Sequence, residues 1–156
     1  MNRKRVQILL IVLAVAVLAI QFVGPKRTNP PIDPSRELSA HVKTPPEVAG
    51  ILERSCLDCH SHQTRWPWYS KVAPVSWFVI SDVNEARRHM NFSDWAKYNQ
   101  QKALDRLNGI CEETSEGGMP LSSYLWMHSD AKLTPQDVRT LCEWSRSARE
   151  QLAQAK

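Results

Sequence analysis

The chain has 156 residues and a formal net charge of +4, from 20 Lys and Arg against 16 Asp and Glu. Three of the basic residues, Arg3, Lys4 and Arg5, lie together at the amino terminus, so the rest is close to neutral and gives no reason to expect a nucleic-acid partner. Six Trp against five Gly indicate one ordered domain with a core of its own.

Residues 1–23 have the pattern of an export signal. The basic residues are followed by an apolar run from Val6 to Val23 that only Gln7 and Gln21 interrupt. At about 1.5 Å per residue the run reaches roughly 27 Å, near the lower limit for a bilayer span. The sequence predicts a retained, single-pass transmembrane helix in a bacterial inner membrane, with the remainder in the periplasm. Cleavage after Ala19, which would give a soluble periplasmic protein, is the alternative.

Residues 24–43 are polar and contain four prolines with almost no large apolar side chain. This composition predicts an extended tether between the membrane and the domain. The domain itself is predicted over residues 44–156.

The most informative motif of the chain is C-x-x-C-H, formed by Cys56, Cys59 and His60 at the end of a predicted helix. Positions i, i+3 and i+4 of a helix share one face, so the three side chains would point the same way. This spacing is the attachment site of a c-type haem, with both thiols bonded to the haem vinyl groups and the imidazole bound to the iron.

C-x-x-C without the histidine is also found in redox dithiols and as half of a zinc site. The adjoining His60 and the export signal favour haem over these alternatives. A haem-free thiol or zinc module would use Cys56, Cys59, His60 and His62.

Hydrophobic spacing predicts further helices and no strand, so the predicted fold class is all-α. Residues 116–120 contain two Gly and a Pro and are predicted to form a loop, with a short helix after it from Tyr124 to Met127. The predicted buried positions are Trp77, Ile80 and Val83 in a helix from about Pro74; Leu104, Leu107 and Ile110 in a helix after Ser93; and Val138, Leu141, Cys142 and Ala148 in a last helix that begins at Thr134.

Met119 is the predicted second axial ligand of the iron. A thioether is a soft ligand suited to haem iron, while Gly117 and Gly118 permit close approach of the backbone to the ring and Pro120 stiffens the loop. Met127 is expected in the core, and His62 follows the proximal ligand too closely to reach the other face of the ring. The rival ligands are His128, His62, Met90 and Met127.

Arg65, Trp66, Trp68 and Tyr69 follow the motif closely and are candidate partners of the haem propionates, which need cationic and N–H or O–H groups. An aromatic cluster that only packs, with Arg65 in solvent, is the alternative. Arg87 and Arg88 are expected on a solvated helix face, with contact to a propionate as the second possibility.

Cys111 and Cys142 remain once the motif is accounted for. Two remaining cysteines in an oxidising compartment favour a disulfide between the third and the last helix. Both also fall on apolar faces, so two buried free thiols are the alternative.

The order of these elements resembles that of class I cytochromes c. At closer range, the chain from about Thr44 to Trp144 resembles the bacterial haem-binding domain family of small exported proteins, which implies haem attachment more firmly than any reaction. Ala86 stands where that family leads us to expect Gly before Arg87. The residues that carry the resemblance are the run from Cys56 to Ser70, Ala73-Pro74-Val75-Ser76-Trp77, Asn91-Phe92-Ser93, Met119-Pro120-Leu121, Tyr124, His128 and Ala131-Lys132-Leu133-Thr134.

The sequence therefore predicts a small, class I cytochrome c-like helical domain that holds one covalent haem c and passes electrons between redox partner proteins, an electron carrier rather than an enzyme. A haem enzyme or gas sensor of peroxidase type, with an open sixth position on the iron, is the first alternative. The haem-free thiol or zinc module is the second.

Overall fold

The structure, a computed structural model, describes residues 2–154. Within these residues it consists of α-helices and short 3-10 turns, with no β-strand, which confirms the all-α prediction. The helices are α1 (Arg3–Ile20), α2 (Leu38–His41), α3 (Pro46–Ser55), α4 (Leu57–His60), α5 (Val75–His89), α6 (Gln100–Ser115), α7 (Ser122–Leu125) and α8 (Pro135–Gln154). The 3-10 turns are Pro34–Arg36, Trp68–Lys71, Phe92–Lys97 and Ser129–Ala131.

Helices α6 and α8 pack along each other and form the centre of the core. Leu107 on α6 and Leu141 on α8 are fully buried, and the Ser145 hydroxyl donates a hydrogen bond to the Leu107 carbonyl. Cys111 and Cys142 are joined by a disulfide with their Cα atoms 4.6 Å apart, a separation within the normal range. The predicted link between these two helices is therefore present.

The helix that leads into the C-x-x-C-H motif is interrupted within it. Helix α3 ends at Ser55, the backbone of Cys56 leaves helical geometry at φ −130° and ψ −39°, and α4 carries the rest of the motif. Val48, Ile51 and Leu52 on α3 lie in the core, as their spacing requires. The motif is thus a separate turn held against the core by the helix before it.

The helix predicted after Ser93 begins later than expected. Phe92–Lys97 forms a 3-10 turn that the Asn91 side chain caps by accepting a hydrogen bond from the Ser93 backbone, and within it the backbone of Asp94 leaves helical geometry at φ −134° and ψ 42°. Helix α6 then begins at Gln100, where the Asn99 side chain caps it by accepting from the Lys102 backbone at 2.9 Å.

Residues 24–43 lie on the domain, in contrast to the extended tether that their composition predicts. Leu38 and Val42 are about 95% buried and belong to the main core, and the Lys43 carbonyl accepts a hydrogen bond from Trp144 Nε1 at 3.0 Å. The Asn29 amide donates to the Thr64 carbonyl at 2.8 Å. Burial of these two side chains, with hydrogen bonds from Arg27 to the Ser70 carbonyl and from Arg87 to the Thr28 carbonyl, holds this proline-rich segment on the domain.

Helix α1 has no buried residue, and its carboxyl end is bound to the domain. The Gln21 side chain exchanges hydrogen bonds of 2.9 and 3.3 Å with the backbone of Ala73, and Trp77 Nε1 donates to the Val23 carbonyl at 2.7 Å. Over residues 2–154, none of the helices combines the length and the apolar character that a membrane span requires. The transmembrane helix predicted over residues 1–23 is therefore not supported, since three basic residues fill the first turn of α1 and shorten its apolar part.

Candidate functional site

A cavity of about 420 Å³ lies between α4, α5, α6 and the loop before α7. Cys56, Cys59 and His60 line it from the C-x-x-C-H turn, and Met119 lines it from the loop. Its volume is in the range of cofactor pockets. The four residues that the sequence assigns to the haem and its iron are therefore brought together at one cavity.

The C-x-x-C-H turn presents its three functional side chains on one side. The backbone amides of Cys59 and His60 both donate to the Cys56 carbonyl, at 3.2 and 2.9 Å, and close a single helical turn. The Ser61 hydroxyl ends that turn by donating to the Leu57 carbonyl at 2.6 Å. Because the turn is closed at both ends, the two thiols and the imidazole keep a constant relative placement.

His60 is prepared to bind a metal through Nε2. Its Nδ1 lies 3.0 Å from the Met90 carbonyl, which can only accept, so Nδ1 carries the proton. Burial lowers the pKa of His60 and keeps the ring neutral. This leaves the Nε2 lone pair for the cavity, with the orientation that a second hydrogen bond gives to metal-binding histidines.

The thiols of Cys56 and Cys59 are protonated at neutral pH. Burial raises the pKa of Cys56 to about 12 and that of Cys59 to about 11, and the negative charge of Asp58 adds to the effect on Cys59. Thiolates, not thiols, act as nucleophiles, so this environment disfavours a dithiol reductase.

Asp58, inside the motif, connects the turn to two other segments. Its carboxylate accepts from the Arg65 backbone amide at 3.0 Å, from the Arg65 guanidinium at 3.2 Å and from the Tyr124 hydroxyl at 3.0 Å. Burial, followed by the charge of Asp58, raises the pKa of Tyr124. Asp58 thus holds α7, which directly follows the Met119 loop, against the C-x-x-C-H turn.

The loop that carries Met119 folds back on the end of α6. Gly117 has φ +74°, a left-handed conformation that side chains disfavour, and the Met119 amide donates to the Glu113 carbonyl at 3.1 Å. A Cβ on Gly118 would lie 2.4 Å from a Glu113 carboxylate oxygen, the far end of a flexible side chain, so a larger residue there would require Glu113 to shift. The left-handed backbone at Gly117 therefore lets the loop place Met119 and Pro120 at the cavity.

Of the rival ligands, only Met90 lines the cavity. The ring of His128 stacks on Tyr124 at a centroid distance of 4.0 Å, and His62 Nε2 lies 2.9 Å from the Asn91 amide nitrogen. Met127 is 58% exposed, so its predicted place in the core is wrong, because the short α7 turns it away from the domain.

The four residues predicted to meet the propionates do not line the cavity. Arg65 pairs with Asp58, Trp66 donates to the Asn29 side chain at 3.1 Å, Trp68 is 69% exposed, and Tyr69 lies edge-on to His128. They follow the motif in sequence, but their side chains contact other parts of the domain or solvent instead of the cavity. Arg87 is likewise turned away, donating to the carbonyls of Ser61 and Thr28 at 2.7 Å, and Arg88 pairs with Glu85.

Sequence reasoning missed the charged residues of α5 and α6 that face the cavity. The sequence held one signal of a cavity beside α6. A glycine within a helix, here Gly109, often marks the place where another group approaches the backbone closely. A Cβ added there would have open space around it. The missed residues are Asp82, Glu85, His89, Asp105, Arg106 and Glu113.

These residues fit a haem. The cavity combines two thiols, a neutral imidazole and a thioether with mainly apolar walls, as a flat ring with an iron centre requires. Within residues 2–154, the buried side-chain atoms Ser55 Oγ and Arg106 Nε have no hydrogen-bond partner, and both residues line the cavity. Buried donors are rarely left without a partner, which indicates a ligand that carries polar groups as well.

The helical fold and this cavity define a haem-binding domain. The chain belongs to the haem-binding domain family, because the sequence model of that family matches residues 15–147. No curated protein and no solved structure matches the chain. The family assignment confirms the resemblance drawn from the motifs.

The raised pKa of these half-buried thiols leads to a first prediction. In the folded protein without haem, Cys56 and Cys59 should react with iodoacetamide at pH 8 at least about tenfold more slowly than in guanidinium, because a rise of two pKa units lowers the thiolate fraction about a hundredfold. Cys111 and Cys142 give no signal, since they are joined. Equal rates in the folded and unfolded chain would contradict the raised pKa of the two thiols and favour a thiol module.

Proposed function

We propose that this protein is a monohaem c-type carrier of electrons, with a class I cytochrome c-like domain. Haem binding follows from the family; covalent attachment and electron transfer are the proposal. The observation that carries it is the convergence of Cys56, Cys59, His60 and Met119 on one cavity.

Covalent attachment is supported by the geometry of the motif turn. Cys56 and Cys59 face the same cavity as His60, so two thioether bonds and one iron ligand can form on the same side. Burial raises the pKa of both thiols, which disfavours the nucleophilic chemistry of a redox dithiol.

Electron transfer is supported by the ligand set. His60 offers Nε2 from one wall and Met119 offers a neutral thioether from the loop at the end of α6. Iron bound by His and Met exchanges one electron without taking a substrate. The role of the protein residues is to hold both ligands and keep water out, and a redox partner protein would dock to receive or supply the electron.

A haem enzyme or gas sensor is the second candidate, and one pair of residues favours it. His89 and Glu85 both line the cavity, and His89 Nε2 lies 3.5 Å from the Glu85 carboxylate. Such a pair could move a proton to or from a small molecule bound to iron. The occupancy of the sixth position by Met119 decides between the two candidates.

We propose that the protein lies at the bacterial inner membrane, with α1 in contact with the membrane surface and the haem domain in the periplasm. The support is the sequence of basic and apolar residues at the amino terminus and the exposure of the apolar side chains of α1, such as Leu9 at 62% and Leu18 at 64%. Haem attachment of this type and the Cys111–Cys142 disulfide both suit an oxidising compartment.

The second prediction concerns attachment. Expressed with a cytochrome c maturation system, the protein should retain haem through denaturation in acid and organic solvent, and replacement of Cys56 and Cys59 by Ala should abolish this retention. Replacement of Cys111 and Cys142 by Ala is the matched control and should leave attachment intact. Haem that extracts freely from the wild type would end the c-type proposal.

The third prediction concerns Met119. Met119→Ala should lower the reduction potential, because a thioether favours ferrous iron and axial ligands tune haem potentials over about 0.8 V. It should also open the iron to cyanide and carbon monoxide, whereas Met127→Ala, at an exposed position, should do neither. Spectra and potentials measure both effects.

An unchanged spectrum in Met119→Ala would show that another residue is the axial ligand. Met90 and His89 would be tested next, because both line the cavity. A wild type that binds carbon monoxide readily would favour the enzyme or sensor. Met119→His should restore six-coordination without restoring the potential.

The fourth prediction concerns location. After cell fractionation the full-length protein should remain with the membrane through salt and carbonate washes, because apolar contacts are not screened by salt. In spheroplasts, added protease should digest the haem domain, which would place it outside the cytoplasm. A soluble product that begins near Ile20 would show cleavage instead.

A further inference from the structure

The haem cavity has one Lys or Arg among the described residues that line it, which is Arg106 on α6. The remaining charged groups at the walls are mostly carboxylates, which repel an anionic ligand. The other titratable groups that face the cavity, beyond the motif itself, are Asp82, Glu85 and His89 on α5, Asp105 and Glu113 on α6, and Tyr124 on α7.

Arg106 is held at the cavity without a partner of its own. Its Nε is buried and has no hydrogen bond within the described part of the chain, and none of the ion pairs there includes its guanidinium. The guanidinium groups of the other two arginines near the motif have partners, since Arg65 pairs with Asp58 and Arg87 donates hydrogen bonds to two carbonyls. Arg106 is therefore the cation whose donors remain available to a ligand.

The helix surface beside Arg106 is open for a flat group. Gly109 follows Arg106 by three positions and so lies on the same side of α6, and a Cβ added to it would meet nothing within 4 Å. A planar ring can approach the backbone there, whereas a side chain at this position would fill the space.

The two propionate groups of haem are carboxylates, which a cation such as Arg106 can bind. Cys56 and Cys59 would bond the haem vinyl groups, and the two propionates extend from another edge of the ring, where they need positive charge. The guanidinium fork matches a carboxylate with two parallel hydrogen bonds. We propose that Arg106 binds a haem propionate and, with the open surface at Gly109, sets the orientation of the ring against α6. This inference rests on the proposed haem attachment.

The test compares haem-loaded, full-length R106Q and R106K with wild type, with R146Q as the matched control. R146Q removes one positive charge from an exposed position on α8 that does not line the cavity. A paired arginine keeps a carboxylate ionised, so in R106Q the propionate should take up its proton at a pH roughly 1–3 units higher. Because protonation removes negative charge beside the iron, the reduction potential should rise as pH falls through that transition. R106K should shift less, and R146Q should match the wild type.

Resonance Raman spectra supply a second readout, since the propionate bending band responds to the hydrogen bonds of the carboxylate. The band should shift in R106Q and in R106K, which lacks the fork, and not in R146Q. Circular dichroism checks the fold, and R106K alone carries the comparison if R106Q does not fold. A wild-type pH profile and an unchanged band in a variant that retains covalent haem would overturn the role of Arg106. Failure of the wild type to hold haem would instead overturn the proposed function.

Discussion

The carboxylate of Asp58 is the constraint on which the arrangement of the site depends. It lies within the C-x-x-C-H turn, is about 90% buried, and accepts hydrogen bonds from Arg65 and from Tyr124. The Arg65 side chain is mostly exposed, so its ion pair adds little, whereas the bond from Tyr124 to a shielded carboxylate is of the kind worth about 1.5–3 kcal/mol. Through Tyr124 the C-x-x-C-H turn and the loop that carries Met119 are held at a set distance across the cavity.

The rest of the domain provides a rigid frame for that cavity. Leu107 and Leu141 join α6 to α8, and the disulfide between Cys111 and Cys142 closes the same interface. Helix α6 is therefore buried on one side, while its other side faces the cavity with Arg106 and Gly109. A helix fixed in this way can present a cation and an open surface to a ligand without moving when the ligand binds.

The sequence predicted the helical class, the loop around Met119 and the motif residues, because these depend on local spacing and on residue chemistry. It did not predict the polar lining of the cavity. Arg65 follows the motif directly and is turned outward, while Arg106 is 46 positions beyond His60 and faces the cavity. Which of two arginines meets a ligand is decided by how helices pack, and single-sequence patterns carry no information on that. The same limit explains residues 24–43, where burial of Leu38 and Val42 outweighs a composition typical of a linker.

The charges around the cavity also set opposing influences on an iron centre bound there. In the proposed haem complex, Met119 as a neutral ligand and Arg106 as a cation would both favour the ferrous state, whereas the carboxylates of Asp82, Glu85 and Glu113 would favour the ferric state. Burial raises the pKa of Asp82, so part of that negative charge is lost first as the pH falls. The balance lies with the groups that are shielded from solvent, because exposed carboxylates are screened by water and salt. Arg106 Nε is buried, while the side chain of Glu85 is 53% exposed. Solvent therefore screens the charge of Arg106 less than that of Glu85, and the effect of Arg106 on the reduction potential is larger than a count of charges suggests.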